Sequence, residues 1–243
     1  MGGIETMKLR LLVLPAVTLL LYGCFPFSMQ KTDIPCAAIL NPPFRQLIGA
    51  TLSTEQALQI IRSTYGVQSK DVNVERVPEN PSGWASKFPE FPDIGSHIFW
   101  RKAGVSYRLD RDRQEKLQHI FVEFGKVKPP VRRVIQCVSS QPEWYRALYG
   151  PRMESSGLDY YFELWFPSKG VVTQTRGSAR NKNRLPKIDS KFPVAFVDIV
   201  APGTVIEVYE NLGLGSGYLP PGDDYPLIRW PDDWSQVQLR EGW

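Results

Sequence analysis

Apolar and polar residues change rhythm several times along the chain, and each change predicts an element. Ser53 and Gln56 stand in the Ser-x-x-Gln spacing of a capping box, and Ala57, Leu58, Ile61 and Tyr65 follow at helical intervals up to Gly66. That spacing predicts a helix over 54–65. Val72 to Val77 reads as a strand, and a loop marked by Pro78, Pro81, Pro89 and Pro92 follows it. His97 to Lys102, Val105 to Asp110 and Leu117 to Phe124 are strand-like in turn. The first two are joined by Ala103-Gly104, a two-residue hairpin signal, and the third alternates Leu117, His119, Phe121, Glu123 against Gln118, Ile120, Val122, Phe124. Together they predict an antiparallel meander.

The order then restarts. Pro129-Pro130 opens a second short helix whose apolar face is Val131, Val134, Ile135 and Val138, and Gln141-Pro142 closes it. Glu143 to Tyr149 fits either a further strand or an aromatic extension of that helix. Leu158 to Phe166 is a strong strand, Pro167 to Gly170 a turn, Val171 to Thr175 its hairpin partner, and Pro193 to Val200 and Thr204 to Tyr209 are two more strands. "IFWRKAGVSYRLDR" lies over "FELWFPSKGVVTQTR" with Gly104 matched to Gly170, which suggests a tandem repeat of about 70–80 residues. The expected fold class is α+β and strand-rich: two tandem helix-plus-meander units followed by an irregular tail rich in Pro, Gly and Trp.

The beginning of the chain has a different texture. Lys8 and Arg10 precede an uncharged run from Leu11 to Tyr22, interrupted by Pro15 and followed by Gly23-Cys24. A helix needs about 20 apolar residues to cross a bilayer core of roughly 30 Å. The shorter run here has instead the layout of a signal peptide. Leu21-Tyr22-Gly23-Cys24 resembles the bacterial lipobox, and the resemblance implies cleavage before Cys24 and lipidation of that cysteine. The boundaries expected are a signal peptide at 1–23, a lipidated tether at 24–50, the first unit at 51–127, the second at 128–210, and the tail, packed on the body, at 211–243. In this reading the protein is lipid-anchored in a cell membrane and faces the extracytoplasmic side.

The second helix carries a further resemblance. Val131, Val134, Ile135 and Pro142, then Tyr160 to Phe166 and the Phe166-Pro167-Ser168-Lys169-Gly170 turn, are similar to the small lipoproteins of the outer-membrane assembly machinery and to the β-lactamase inhibitor protein fold. The resemblance implies a noncatalytic module that binds an envelope protein through its sheet.

Composition narrows the remaining chemistry. The chain has 243 residues, 42% hydrophobic, with 29 basic against 25 acidic side chains and a net charge of +4. Those charges are scattered, and no nucleic-acid partner is expected. With Cys24 assigned to lipid, Cys36 and Cys137 remain as an even pair in a disulfide-permissive compartment, either bridged or as two buried thiols. His97 and His119 fall on strands either side of 105–110, about 10 Å apart across two strand spacings. That is far for a shared metal, and they read as strand-edge histidines. No nucleophile elbow, zinc-helix or calcium-loop spacing is present, so no catalytic residue, metal or cofactor is assigned. Two surfaces are candidate partner sites. Arg176, Arg180, Lys182 and Arg184 begin a basic, mobile loop that runs to Lys191, which either attracts anionic polymers or is a solvated connection. Trp230 and Trp234 sit in the aromatic tail, where tryptophan either stacks on sugars and small ligands or is pinned across a sheet. Wall polysaccharide or a small ligand is therefore the alternative to a protein partner.

Overall fold

A computed structural model describes residues 34–78, 93–152, 156–213, 218–223, 225–231 and 233–242. The segment expected as a signal peptide (1–23), Cys24 and the prolines at 81, 89 and 92 lie outside these residues.

Among the described residues, ten strands form one sheet: β1 Asn73–Arg76, β2 Ile94–Lys102, β3 Val105–Asp112, β4 Leu117–Phe124, β5 Trp144–Pro151, β6 Leu158–Phe166, β7 Val171–Ala179, β8 Phe196–Ile199, β9 Ile228–Arg229 and β10 Arg240–Glu241. Their order is β1-β2-β3-β4-β8-β7-β6-β5-β10, with β9 also on β5. All pairings are antiparallel except β10 on β5. The chain is thus mixed α and β and rich in strands. The β2–β3 turn has positive φ at both Ala103 (50°) and Gly104 (81°), the backbone twist that suits a two-residue hairpin. At the β6–β7 turn Gly170 has φ 61°, and a Cβ there would meet the Val200 carbonyl oxygen at 2.1 Å. Only glycine fits.

Among the described residues, five helices accompany the strands: α1 Cys36–Leu40, α2 Pro42–Arg45, α3 Thr54–Tyr65, α4 Val131–Val138 and α5 Val205–Leu212. The capping box of α3 is formed: Gln56 N–H donates to the Ser53 hydroxyl and Ser53 N–H to the Gln56 side chain. Buried Arg111 ties this end to the sheet, donating to the Leu52 carbonyl at 2.7 Å and Thr54 Oγ1 at 3.0 Å. Core residues Ala57 and Ile61 of α3 and Val131 and Val134 of α4 join Ile98, Leu109, Ile120, Val122, Leu164 and Val197 from alternate strand positions. This core and the sheet run without interruption across the expected boundary at 127/128.

Several expectations are corrected. The segment 34–50 is not tether: Ile34, Ile39, Leu40 and Phe44 are buried in the core, and its prolines sit at helix starts, where a missing N–H costs nothing. A disulfide joins Cys36 of α1 to Cys137 of α4, with the Cα atoms 5.1 Å apart. Residues 204–209 are helix, not strand. Thr204 and Glu207 form a second capping box, and Val205, Val208 and Leu212 lie at helical spacing, which overrides the β propensity of adjacent Val and Ile. Residues 193–200 narrow to β8, because Pro193 cannot donate to a ladder and makes only a bridge to Pro130. The ambiguous 143–149 stretch is strand.

The expected mobile loop is also shorter. β7 runs to Ala179, and Ile188 and Phe192 are buried, so the segment is pinned at both ends. The tail wraps the outer edge of β5 with β9 and β10, covering backbone groups that would otherwise be open to pairing with another chain.

Candidate functional site

Side chains alternate across each strand, so the sheet has a second face, turned away from α3 and α4. Register aligns its residues in rows. One row runs Phe99, Arg108, Phe121, Asp198, Val172, Trp165, Trp144 across β2, β3, β4, β8, β7, β6 and β5. The neighbouring rows contain His97–Asp110–His119 and Phe196–Gln174–Glu163–Arg146.

The first of these neighbouring rows is a continuous hydrogen-bonded line. His97 Nδ1 lies 2.6 Å from Asp110 Oδ1, His119 Nδ1 is 2.8 Å from Asp110 Oδ2, and His119 Nε2 is 2.6 Å from Asp198 Oδ1. The Tyr218 hydroxyl then donates to Asp198 Oδ2 at 2.5 Å. His119 is 2% exposed, and His97 is 26% exposed at the surface end of the line. Burial disfavours the His119 imidazolium, but the carboxylates of Asp110 and Asp198 on either side outweigh it and push its pKa up to about 9. Burial likewise works against an ionised Asp110, and the hydrogen bonds from His119 and His97 overcome it, holding the carboxyl below its usual range. Burial and the adjacent Asp198 raise the Tyr218 phenol. The consistent state at neutral pH is an imidazolium clamped between two carboxylates.

The second network lies under the tail. Arg146 and Glu163 are fully buried and paired at 3.2 Å. Glu163 also accepts from Trp165 Nε1 and Gln174 Nε2, both at 3.1 Å, and Arg176 donates to Gln174. Arg146 reaches the carbonyls of Leu219 at 2.8 Å and Tyr225 at 2.7 Å. The Tyr218 ring stands edge-on to Trp165 at 5.7 Å, linking the two networks. Trp165, Val172, Val200, Val208, Leu212 and Tyr218 form a second apolar cluster, so α5 and the tail seal this half of the face.

The other half is not part of that cluster. Phe99, Phe121 and Phe196 are half-buried. Phe121 and Phe196 stack at 5.5 Å with planes 23° apart, and the Arg108 guanidinium lies 4.9 Å over Phe121 while pairing with Asp110 at 2.9 Å. The result is an aromatic and cationic patch on a rigid sheet, backed by the imidazolium line.

The residues singled out in the sequence fall elsewhere. Arg176 is on β7 with its guanidinium 5.2 Å over Tyr161; Lys182 pairs with Glu241 at 2.7 Å; Arg180 and Arg184 are exposed. Trp230 and Trp234 are half-buried, edge-on to each other at 4.8 Å, and Trp230 is edge-on to Tyr145. They pack against the first core. The histidines flank β3 as expected, but His119 is no edge residue: it is buried and joined to His97 through Asp110. The missed partner was legible in part, because a two-residue turn at 103–104 sets His97 opposite Asp110. Asp198 was not, since its approach depends on β4 meeting β8.

Among the described residues, no group of three or more His, Cys, Asp or Glu side chains is placed to hold a metal ion, and no helix is long and apolar enough to cross a membrane. No protein family, curated protein or solved structure matches this chain in comparisons of sequence and fold.

Proposed function

We propose that the chain is a lipid-anchored, noncatalytic envelope protein whose sheet docks a protein partner on the open half of its second face. The observation that carries this reading is the patch of Phe99, Phe121, Phe196 and Arg108. Aromatic side chains and arginine dominate the energetics of protein interfaces, and a preformed sheet lowers the ordering cost of binding. The buried titratable groups support a binding role more than a chemical one: both nitrogens of His119 are occupied by carboxylates, and Tyr218 is held by Asp198. The Cys36–Cys137 disulfide accords with an oxidising compartment, as export behind the Cys24 signal requires.

The body is further read as two helix-plus-meander units, α3 with β1–β4 and α4 with β5–β8. The last strand of each meets the other at the sheet centre, β4 antiparallel to β8, as an approximate two-fold would arrange them. On this reading the tail seals most of the second unit's face and leaves the first unit's face, with Phe196 of β8 beside it, for the partner.

Affinity capture of the full chain from its own membranes tests the proposal. The wild type should retain one dominant protein, and Phe121→Ala with Phe196→Ala should lose it while remaining folded. Equal recovery with both chains would overturn the assignment of the face.

A further inference from the structure

The described chain begins at a place defined on three sides. Ile34 is buried and its carbonyl accepts from Arg133 Nε of α4 at 3.2 Å; two residues later Cys36 is bonded to Cys137, also on α4. The segment before β8 lies alongside the same helix, with Arg132 N–H donating to the Ser190 carbonyl and Val131 N–H to that of Phe192, both at 2.9 Å. A turn closed by Phe192 N–H on the Asp189 carbonyl holds this segment, and Lys187 and Lys191 flank Asp189.

Lys128, Arg132, Lys187 and Lys191 are all exposed around this point, while Asp189 is half-buried and its carboxylate accepts from the Lys191 backbone. Cys24 is ten residues before Ile34, so even a fully extended connection spans no more than about 36 Å. If Cys24 is lipidated, Ile34 beside this basic surface stays within about that distance of the headgroups.

We infer that this surface, α4 together with 187–193, is the membrane-facing side of the body and lies against anionic lipid headgroups. The inference rests on the proposed lipid anchor. It keeps Lys187 and Lys191 from the basic loop read in the sequence and adds Lys128 and Arg132, while Lys182 is paired with Glu241 and Arg176 lies over Tyr161. The lipid supplies the attachment and confines the body to within about 36 Å of the bilayer, and the cations select the orientation, since Coulomb attraction, which acts within about a Debye length, favours the pose that brings them against the headgroups. Held this way, α4 faces the bilayer while the second face of the sheet, on the opposite side from α4, stays available to a partner.

The test is lysine acetylation of the full lipidated chain, reconstituted into neutral phosphatidylcholine vesicles and into vesicles with about 30% phosphatidylglycerol. Lys128, Lys187 and Lys191 should react about five-fold more slowly on the anionic vesicles, an effect reversed near 0.5 M salt, where the Debye length is about 4 Å. Exposed Lys70 and Lys116 should react equally on both. Arg132→Gln with Lys191→Gln should remove the protection at Lys128 and Lys187. Equal rates on both vesicles overturn the inference while leaving the anchor standing. Protection by soluble polyphosphate on neutral vesicles overturns it in favour of a free polyanion. A chain that does not float with neutral vesicles overturns the anchor, and the membrane-facing surface with it.

Discussion

His119 offers the sharpest physical test, because its charge is held where an apolar core would exclude one. The imidazole is 2% exposed and sits 2.8 Å from Asp110 and 2.6 Å from Asp198. Its folded pKa is about 9, against about 6.5 in an unfolded chain. Between those values the folded state holds a proton that the unfolded state has released, so stability falls as pH rises. The contribution is fully present below about pH 6.5, declines through the interval and is gone above about pH 9; two to three pK units correspond to about 3 kcal/mol. The assay is urea unfolding at several pH values from 6 to 9.5, on the full chain with Cys24→Ser and its disulfide intact, beside the same chain with His119→Gln. Other groups titrate in both chains and largely cancel in the difference. The wild type should lose about 3 kcal/mol more than the variant across that range. Parallel curves would refute a clamped imidazolium, and a wild type that gains on the variant as pH rises would show a neutral, buried histidine.

Removing the disulfide with Cys36→Ala and Cys137→Ala should cost about 2–4 kcal/mol in urea unfolding, since it closes a separation of 101 residues. Gly170→Ala should cost roughly 2–4 kcal/mol by the same measurement, because the new Cβ would meet the Val200 carbonyl at 2.1 Å on a backbone with positive φ. Arg146→Met leaves Glu163 buried without its cation and frees the carbonyls of Leu219 and Tyr225. It should cost about 3–5 kcal/mol and speed proteolysis within 218–225 at temperatures where the rest of the chain stays folded. Leu164→Ala, in the core shared by both helices, should cost about 2–5 kcal/mol without changing partner capture.

The first meander was legible because β2, β3 and β4 bury one face more deeply than the other over most of their length, as the alternation from Ile120 to Phe124 records; β6 and β7 are buried as a run at their shared turn end, and their apolar content rather than alternation marked them. α3 was legible through its capping box and α4 through its opening prolines, each with an apolar stripe. What hid α1 and α2 was proline: Pro35 and Pro42 read as tether, although a proline at the start of a helix gives up a hydrogen bond that position does not make. α5 was hidden by Val205, Ile206 and Val208, whose β-branched side chains outweighed the Thr204/Glu207 box in a local reading. The polar line was half legible. Its His97–Asp110 step follows from one hairpin turn, but the His119–Asp198 step joins residues 79 apart and depends on β4 pairing with β8. The half-buried aromatic patch draws on four strands, and no short window of sequence contains it.

The claim that matters most is that the partner meets the sheet on the face opposite α3 and α4. A photo-crosslinking residue placed at Phe121, with matched chains carrying it at exposed Arg62 on α3 and Gln59 one turn before it, measures this in intact membranes. The account predicts that one protein adduct forms at position 121 and is absent from positions 59 and 62. An adduct at 59 or 62 with none at 121 would contradict it.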